Sequence, residues 1–164
     1  MKIVVSENQY NRLIETEEEQ KVLRIPSLQI FGNDWFVLQK FLELKGNPPY
    51  SVGGNLNLVG KPIKSLGNLQ SVGGDLDLFW TQIKSLGNLQ SVGGYLDLKG
   101  TPIKSLGNLQ SVGGNLDLDD TPIKSLGNLQ SVGGNLFLQR TPLSDMYTEN
   151  QIREMVNVGG DIHL

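Results

Sequence analysis

Apolar residues return at fixed offsets every twenty residues from Ser51 onward. In the block that begins at Ser71 they are Val72, Leu76, Leu78, Ile83, Leu86 and Leu89. Equivalent blocks begin at Ser51, Ser91 and Ser111. A fifth, SVGGNLFLQRTPL, begins at Ser131 and then departs, and a half-copy, NVGGDIHL, ends at Leu164. A fixed period of this length marks a solenoid, in which one coil buries its apolar face only against its neighbours. Leu76 and Leu78 alternate with polar residues, the period of a half-buried strand. The pattern therefore predicts one parallel strand per repeat, near residues 55–58, 75–78, 95–98, 115–118, 135–138 and 161–164. Like strands of adjacent coils then lie about 4.8 Å apart. Gly73-Gly74 ahead of the strand permits backbone angles closed to other residues. Pro62, Pro102 and Pro122 follow the strand and end it.

The flanks carry helical periods and predict caps at both ends of a mainly β repeat solenoid. Residues 1–50 read as an N-terminal α/β cap, 51–143 as the solenoid, and 144–164 as a C-terminal helix plus a closing strand. Lys2 to Val5 and Lys21 to Ile25 are strand candidates, the second stopped by Pro26. Ser6-Glu7-Asn8-Gln9 has the form of a capping box, followed by Tyr10, Leu13 and Ile14 on one helical face. A second helix fits Asp34 to Lys45, with Asn33 as cap, Gly46 just past its end, and Trp35, Leu38, Phe41 and Leu42 on its apolar side. Thr148-Glu149-Asn150-Gln151 predicts a last helix, with Ile152, Met155 and Val156 on one side. Val158, Gly159-Gly160, Ile162 and Leu164 then return to the register of Val132, Gly133-Gly134, Leu136 and Leu138.

The run Leu76-x-Leu78-x-x-Thr81-x-Ile83 resembles the leucine-rich repeat core LxLxxNxL, with threonine in place of asparagine. Its twenty-residue length is similar to the short bacterial type of that family, and LGNLQSVGGDLDL resembles the coils of receptor L domains. The resemblance covers residues 51–143 and the last eight. It implies a right-handed coil that reads a partner with the exposed side chains of its strand face. Asn68, Asn88, Asn108 and Asn128 offer an asparagine ladder at a different place in the coil. The opening MKIVVSENQYNRLIE resembles the starts of small proteins of tailed phages and related bacteria, which adds a structural role in a larger assembly as an alternative.

Composition narrows the chemistry. The chain has no cysteine, so thiol catalysis, disulfides and cysteine metal sites are excluded. A net charge of -3, with no aromatics among the lysines, disfavours a nucleic-acid partner. No apolar stretch reaches the length of a membrane span and no signal-peptide core is evident, so a cytoplasmic location is expected. His163 is the sole histidine, and no nucleophile or phosphate-loop motif accompanies it. A non-enzymatic protein without a cofactor is therefore expected. The string GGDLDL resembles the calcium-binding GGxGxDxUx nonapeptide but lacks its third glycine and its nine-residue period, so no metal site is expected.

Function is expected where the copies differ. The variable positions are the outward strand residues and those just after them, against a frame that keeps even the exposed Lys64, Lys84, Lys104 and Lys124 constant. A constant frame with one diversified face suits a protein-binding module. The candidate partner-binding residues are Asp75, Asp77, Phe79, Trp80, Tyr95, Asp97, Lys99, Asp117, Asp119 and Phe137. Exposed aromatics are typical interface anchors. An indole at position 80 also has Gly60 and Gly100 beside it in its own column, on which it can lie. Asp77, Asp97 and Asp117 form an acidic column whose neighbours repel by about 1 kcal/mol in water, a tolerable cost. Thr81, Thr101, Thr121 and Thr141 form a further column that invites an alternative, ice or surface binding by a regular face.

Overall fold

The computed structural model describes residues 22–164. The strand expected at Lys2 to Val5 and the helix expected after Ser6 lie outside the described residues. The rest is a parallel β-solenoid with short helical segments at its ends.

Each coil carries two strands, not the single one expected. One sheet has seven strands. It opens with β1 (Leu23–Ile25), β2 (Tyr50–Val52) and β4 (Leu69–Val72), and continues through the Ser-Val pairs of later coils to β12 (Asn157–Val158). The other has six, from β3 (Leu56–Asn57) through β5 (Leu76–Asp77) and its equivalents to β13 (Ile162–His163). The second sheet is the one the Leu-x-Leu alternation predicts. The first arises because identical coils stack in register, so Ser71-Val72 meets Ser91-Val92 residue for residue and ladders as well. A two-residue segment with one buried valine is too short to show alternation in sequence.

The Gly-Gly pair turns the corner between the sheets, for a reason other than left-handed geometry. Neither Gly73 nor Gly74 has a positive φ. The constraint is close approach: a Cβ on Gly93 would collide with the carbonyl oxygen of Gly73 one coil earlier, and a Cβ on Gly94 would strike the Asp75 carboxylate. Left-handed backbone is needed elsewhere, at Gly67, Gly87, Gly107 and Gly127. There Ser65, Ser85, Ser105 and Ser125 each accept from the glycine N–H two residues on. That turn explains why the Ser-Leu-Gly triplet is constant while the lysine before it stays exposed.

The core is one continuous apolar column from Leu23 to Ile162. At its N-terminal end, helix α1 (Trp35–Leu44) buries the four residues its period predicted. Its cap is Asp34 rather than Asn33: the Asp34 carboxylate accepts from the N–H of Phe36 and Val37, and Asn33 takes a left-handed turn at φ 58. Tyr50 ties the cap to the first coil. Its hydroxyl donates to the Leu66 carbonyl at 2.7 Å and accepts from Gln39.

At the other end, helix α2 (Pro142–Met146) has no counterpart in the sequence pattern, and α3 (Glu149–Met155) has the expected Thr148–Gln151 capping box. The last strand pairs in the expected register, Leu136 with Ile162. Arg153 reaches from α3 to donate to the Val158 and Gly160 carbonyls, which covers part of the terminal coil. No helix among the described residues is long and apolar enough to cross a membrane.

Candidate functional site

The six-stranded sheet turns one row of side chains inward as Leu56, Leu58 and their equivalents. It turns the next row outward at positions 55, 57 and 59 of each coil. Most of the outward aspartates are tied to the frame. Asp75 accepts from the N–H of Tyr95, the residue one coil on, at 2.8 Å. Asn55, Asn115 and Asn135 do the same for Asp75, Asn135 and Asp161. This column is therefore an Asn/Asp ladder, interrupted once by Tyr95. The signal was present in the sequence, since only Asn and Asp otherwise occupy the position.

The next column bonds within its own coil. Asp77, Asp97 and Asp117 each accept from the backbone N–H two residues on, at 3.1, 2.9 and 2.9 Å, a turn that Asn57 makes as well. Their stacking is direct, with Asp77 paired to Asp97 and Asp97 to Asp117. Burial pushes the carboxyls of Asp97 and Asp117 above the usual carboxylate range, and neighbouring aspartates add to it. Hydrogen bonds to the charged form, from the backbone and the Tyr95 hydroxyl, oppose the shift. Burial and the same aspartates raise the Tyr95 phenol too. The column is thus half-buried rather than fully solvated.

Asp119 departs from its expected outward position. It is buried, accepts from the Gln139 N–H at 2.8 Å, and pairs with Lys99 at 3.6 Å. Phe137 stacks on His163, with ring centres 4.6 Å apart. Asp120 and Arg140, opposite charges one coil apart in the same column, form a two-pronged ion pair.

Phe79 and Trp80 are the outward residues least explained by the frame. Their rings stack at 5.1 Å and 14°. Trp80 is 67% exposed although it is among the largest apolar side chains of the chain. Its backbone is left-handed, at φ 56. The same turn position holds Gly60, Gly100, Asp120 and Arg140, all left-handed. Glycine adopts this geometry freely, while an L-residue with a bulky side chain is strained there by about 1–2 kcal/mol. The indole edge rests over Gly100, where a Cβ would overlap it, whereas a Cβ on Gly60, in the same column, would meet nothing.

The threonine column is buried, with 0–2% exposure from Thr81 to Thr141. The left-handed residue before each threonine swings it inward, and Thr101, Thr121 and Thr141 donate their hydroxyls to the carbonyl three residues back. The stripe that favoured ice binding is therefore not on the surface. The alternative asparagine ladder is partial: Asn88 donates to Asn68 at 3.3 Å, but Asn108 donates to the Gly87 carbonyl.

Charge is segregated on this face. Asp75, Asp77, Asp97, Asp117, Asp119, Asp120 and Asp161 stand against Lys99 and Arg140, an excess of five negative charges in a chain whose net charge is -3. No family model matches the chain, and no curated protein or solved structure is significantly similar to it.

Proposed function

We propose that this solenoid is a non-enzymatic protein-binding module of leucine-rich-repeat type, and that its partner engages the outward face of the six-stranded sheet at Phe79 and Trp80. The observation that carries the reading is Trp80. A large indole is held in strained left-handed backbone, stacked on its neighbour and left exposed, at a turn that the other coils build with glycine or a charged residue. Strained backbone that holds an aromatic ring mostly in solvent points to function. Exposed aromatics on a rigid frame are also the usual anchors of an interface. Of the remaining candidates, Phe137 is stacked on His163 in the last coils, and the other seven fall into two groups. Tyr95, Asp97 and Lys99 border the anchor, and Asp75, Asp77, Asp117 and Asp119 shape the frame and its charge.

The test is quantitative affinity capture from the native host's lysate with three baits: wild type, Phe79→Ser/Trp80→Gly, and Lys84→Gln/Lys104→Gln. The face variant is expected to lose its partner at least tenfold, about 1.4 kcal/mol, while the lysine variant keeps it. The reverse pattern refutes the reading.

A further inference from the structure

We infer that the occupant of this face is a basic extended peptide segment, with an arginine guanidinium seated on the Trp80 indole and further cations along Asp77, Asp97 and Asp117. The inference rests on the binding-face reading above and adds the chemistry of the partner.

Three features converge on a cation. The indole is stacked on Phe79 on one side and rests its edge over Gly100, yet most of it stays open to solvent. An open indole attracts guanidinium through its quadrupole, and a planar cation also stacks on it. Lys99, the cation nearest in sequence register, is drawn off toward Asp119. The indole is thus not given an ammonium partner of its own by that residue.

The aspartate column supplies the rest. Each of Asp77, Asp97 and Asp117 uses one carboxylate oxygen, Oδ1, for its turn. An ionised carboxylate has about four acceptor sites, so sites remain after this bond and after the Tyr95 hydroxyl bond that Asp97 and Asp117 also take part in. The column spans about 10 Å over three coils, which three residues of extended chain cover. The carboxyls of Asp97 and Asp117 are already raised by burial and by neighbouring aspartates, Asp117 and Asp77 for the first and Asp119 for the second, so a cation laid along them relieves an existing repulsion. An acidic or purely apolar segment would instead add to the excess of five negative charges or leave those carboxylates desolvated and unpaired. The exposed column of Lys64, Lys84, Lys104 and Lys124 makes a second copy of the chain the main competitor for the face.

The probe is an alternating arginine–glycine octapeptide, titrated into the whole chain in about 50 mM salt. The alternating glutamate–glycine octapeptide serves as control. Binding is followed by calorimetry, and sedimentation reports self-association. The arginine peptide is expected to bind below about 1 mM, with at least tenfold weaker binding to Trp80→Gly and, separately, to Asp97→Asn/Asp117→Asn. Half-molar salt should weaken it by a similar factor. Asparagine is compatible with the fold at this position, because Asn57 makes the same turn. No binding, equal binding by Trp80→Gly, or equal binding of the glutamate peptide overturns the inference. Self-association lost in Lys84→Gln/Lys104→Gln also overturns it, and assigns the face to a second copy. If the arginine peptide fails while lysate capture still depends on Phe79 and Trp80, the partner chemistry is wrong and the face stands. If capture is also independent of them, both fall.

Discussion

Gly100 lies directly beneath the edge of the Trp80 indole, one coil on, and a single methyl group there would overlap the ring at Cδ1 and Nε1. The same glycine has φ 68, so two constraints meet at one residue. Gly60 shares only the backbone constraint: its φ is 61, with no atom near its missing Cβ. Gly60→Ala should therefore cost about 1–2 kcal/mol, the left-handed penalty alone. Gly100→Ala should cost about 1–3 kcal/mol more, or displace the indole and shift the Trp80 emission. In a Trp80→Gly background the extra cost should vanish. Urea denaturation of the four variants closes the cycle, and an equal cost at both glycines would contradict the packing.

A second contrast lies in the buried threonine column. Thr121 donates its hydroxyl to the Leu118 carbonyl at 2.6 Å, whereas the fully buried Thr81 hydroxyl has no partner. Thr121→Val should lose a hydrogen bond and about 1 kcal/mol. Thr81→Val removes an unsatisfied hydroxyl and should stabilise by about 1 kcal/mol. Thermal or urea unfolding reads both, and a destabilised Thr81→Val would show that this hydroxyl is bonded in solution.

The acidic column gives a pH signature. Asp97 faces Asp77, Asp117, Tyr95 and the Lys99 backbone, and its carboxyl titrates higher in the fold than in an unfolded chain. The fold then holds that proton more tightly, so stability is lost as pH rises through the raised value and regained as pH falls below the unfolded value near 3.9. Asp97→Asn keeps an acceptor for the Lys99 N–H and removes the charge. It should be more stable than wild type by about 1 kcal/mol at pH 7 in low salt, with the gap closing near pH 3. A gap that widens toward acid would show the opposite sign, with the charged carboxylate favoured by the fold.

Much of the architecture is legible in the sequence. The Leu-x-Leu alternation places the six-stranded sheet, the Thr148–Gln151 capping box places the last helix, and the return of Val-Gly-Gly-x-Ile places the closing strand. What the pattern leaves out is what stacking adds. The Ser-Val ladder exists because in-register coils align every extended pair, and the Gly-Gly requirement comes from a neighbour twenty residues away rather than from local angles. The candidate site divides in the same way. Period two reads Asp75, Asp77 and Phe79 as outward, but it puts residue 80 on the parity of Leu76 and Leu78, so the exposure of Trp80 comes from the left-handed turn there. Period two does not reveal that the side chains at Asp75, Asp77, Asp97 and Asp117 bond to backbone. Nor does it show that the left-handed turn at residue 80 carries the next residue inward, which turns an expected surface threonine stripe into core.

Amine labelling tells with one reagent whether the partner sits on the strand face, as proposed, or on the lysine edge. Lys99 lies on the strand face, while Lys64, Lys84, Lys104 and Lys124 are exposed on the coil outside it. The chain is acetylated alone and in complex with its captured partner, and each lysine is quantified by mass spectrometry. Lys99 should be protected several-fold on binding, and the four edge lysines should label at their free rate. Protection of the edge column with Lys99 unchanged would contradict this placement and move the functional surface to the lysine column.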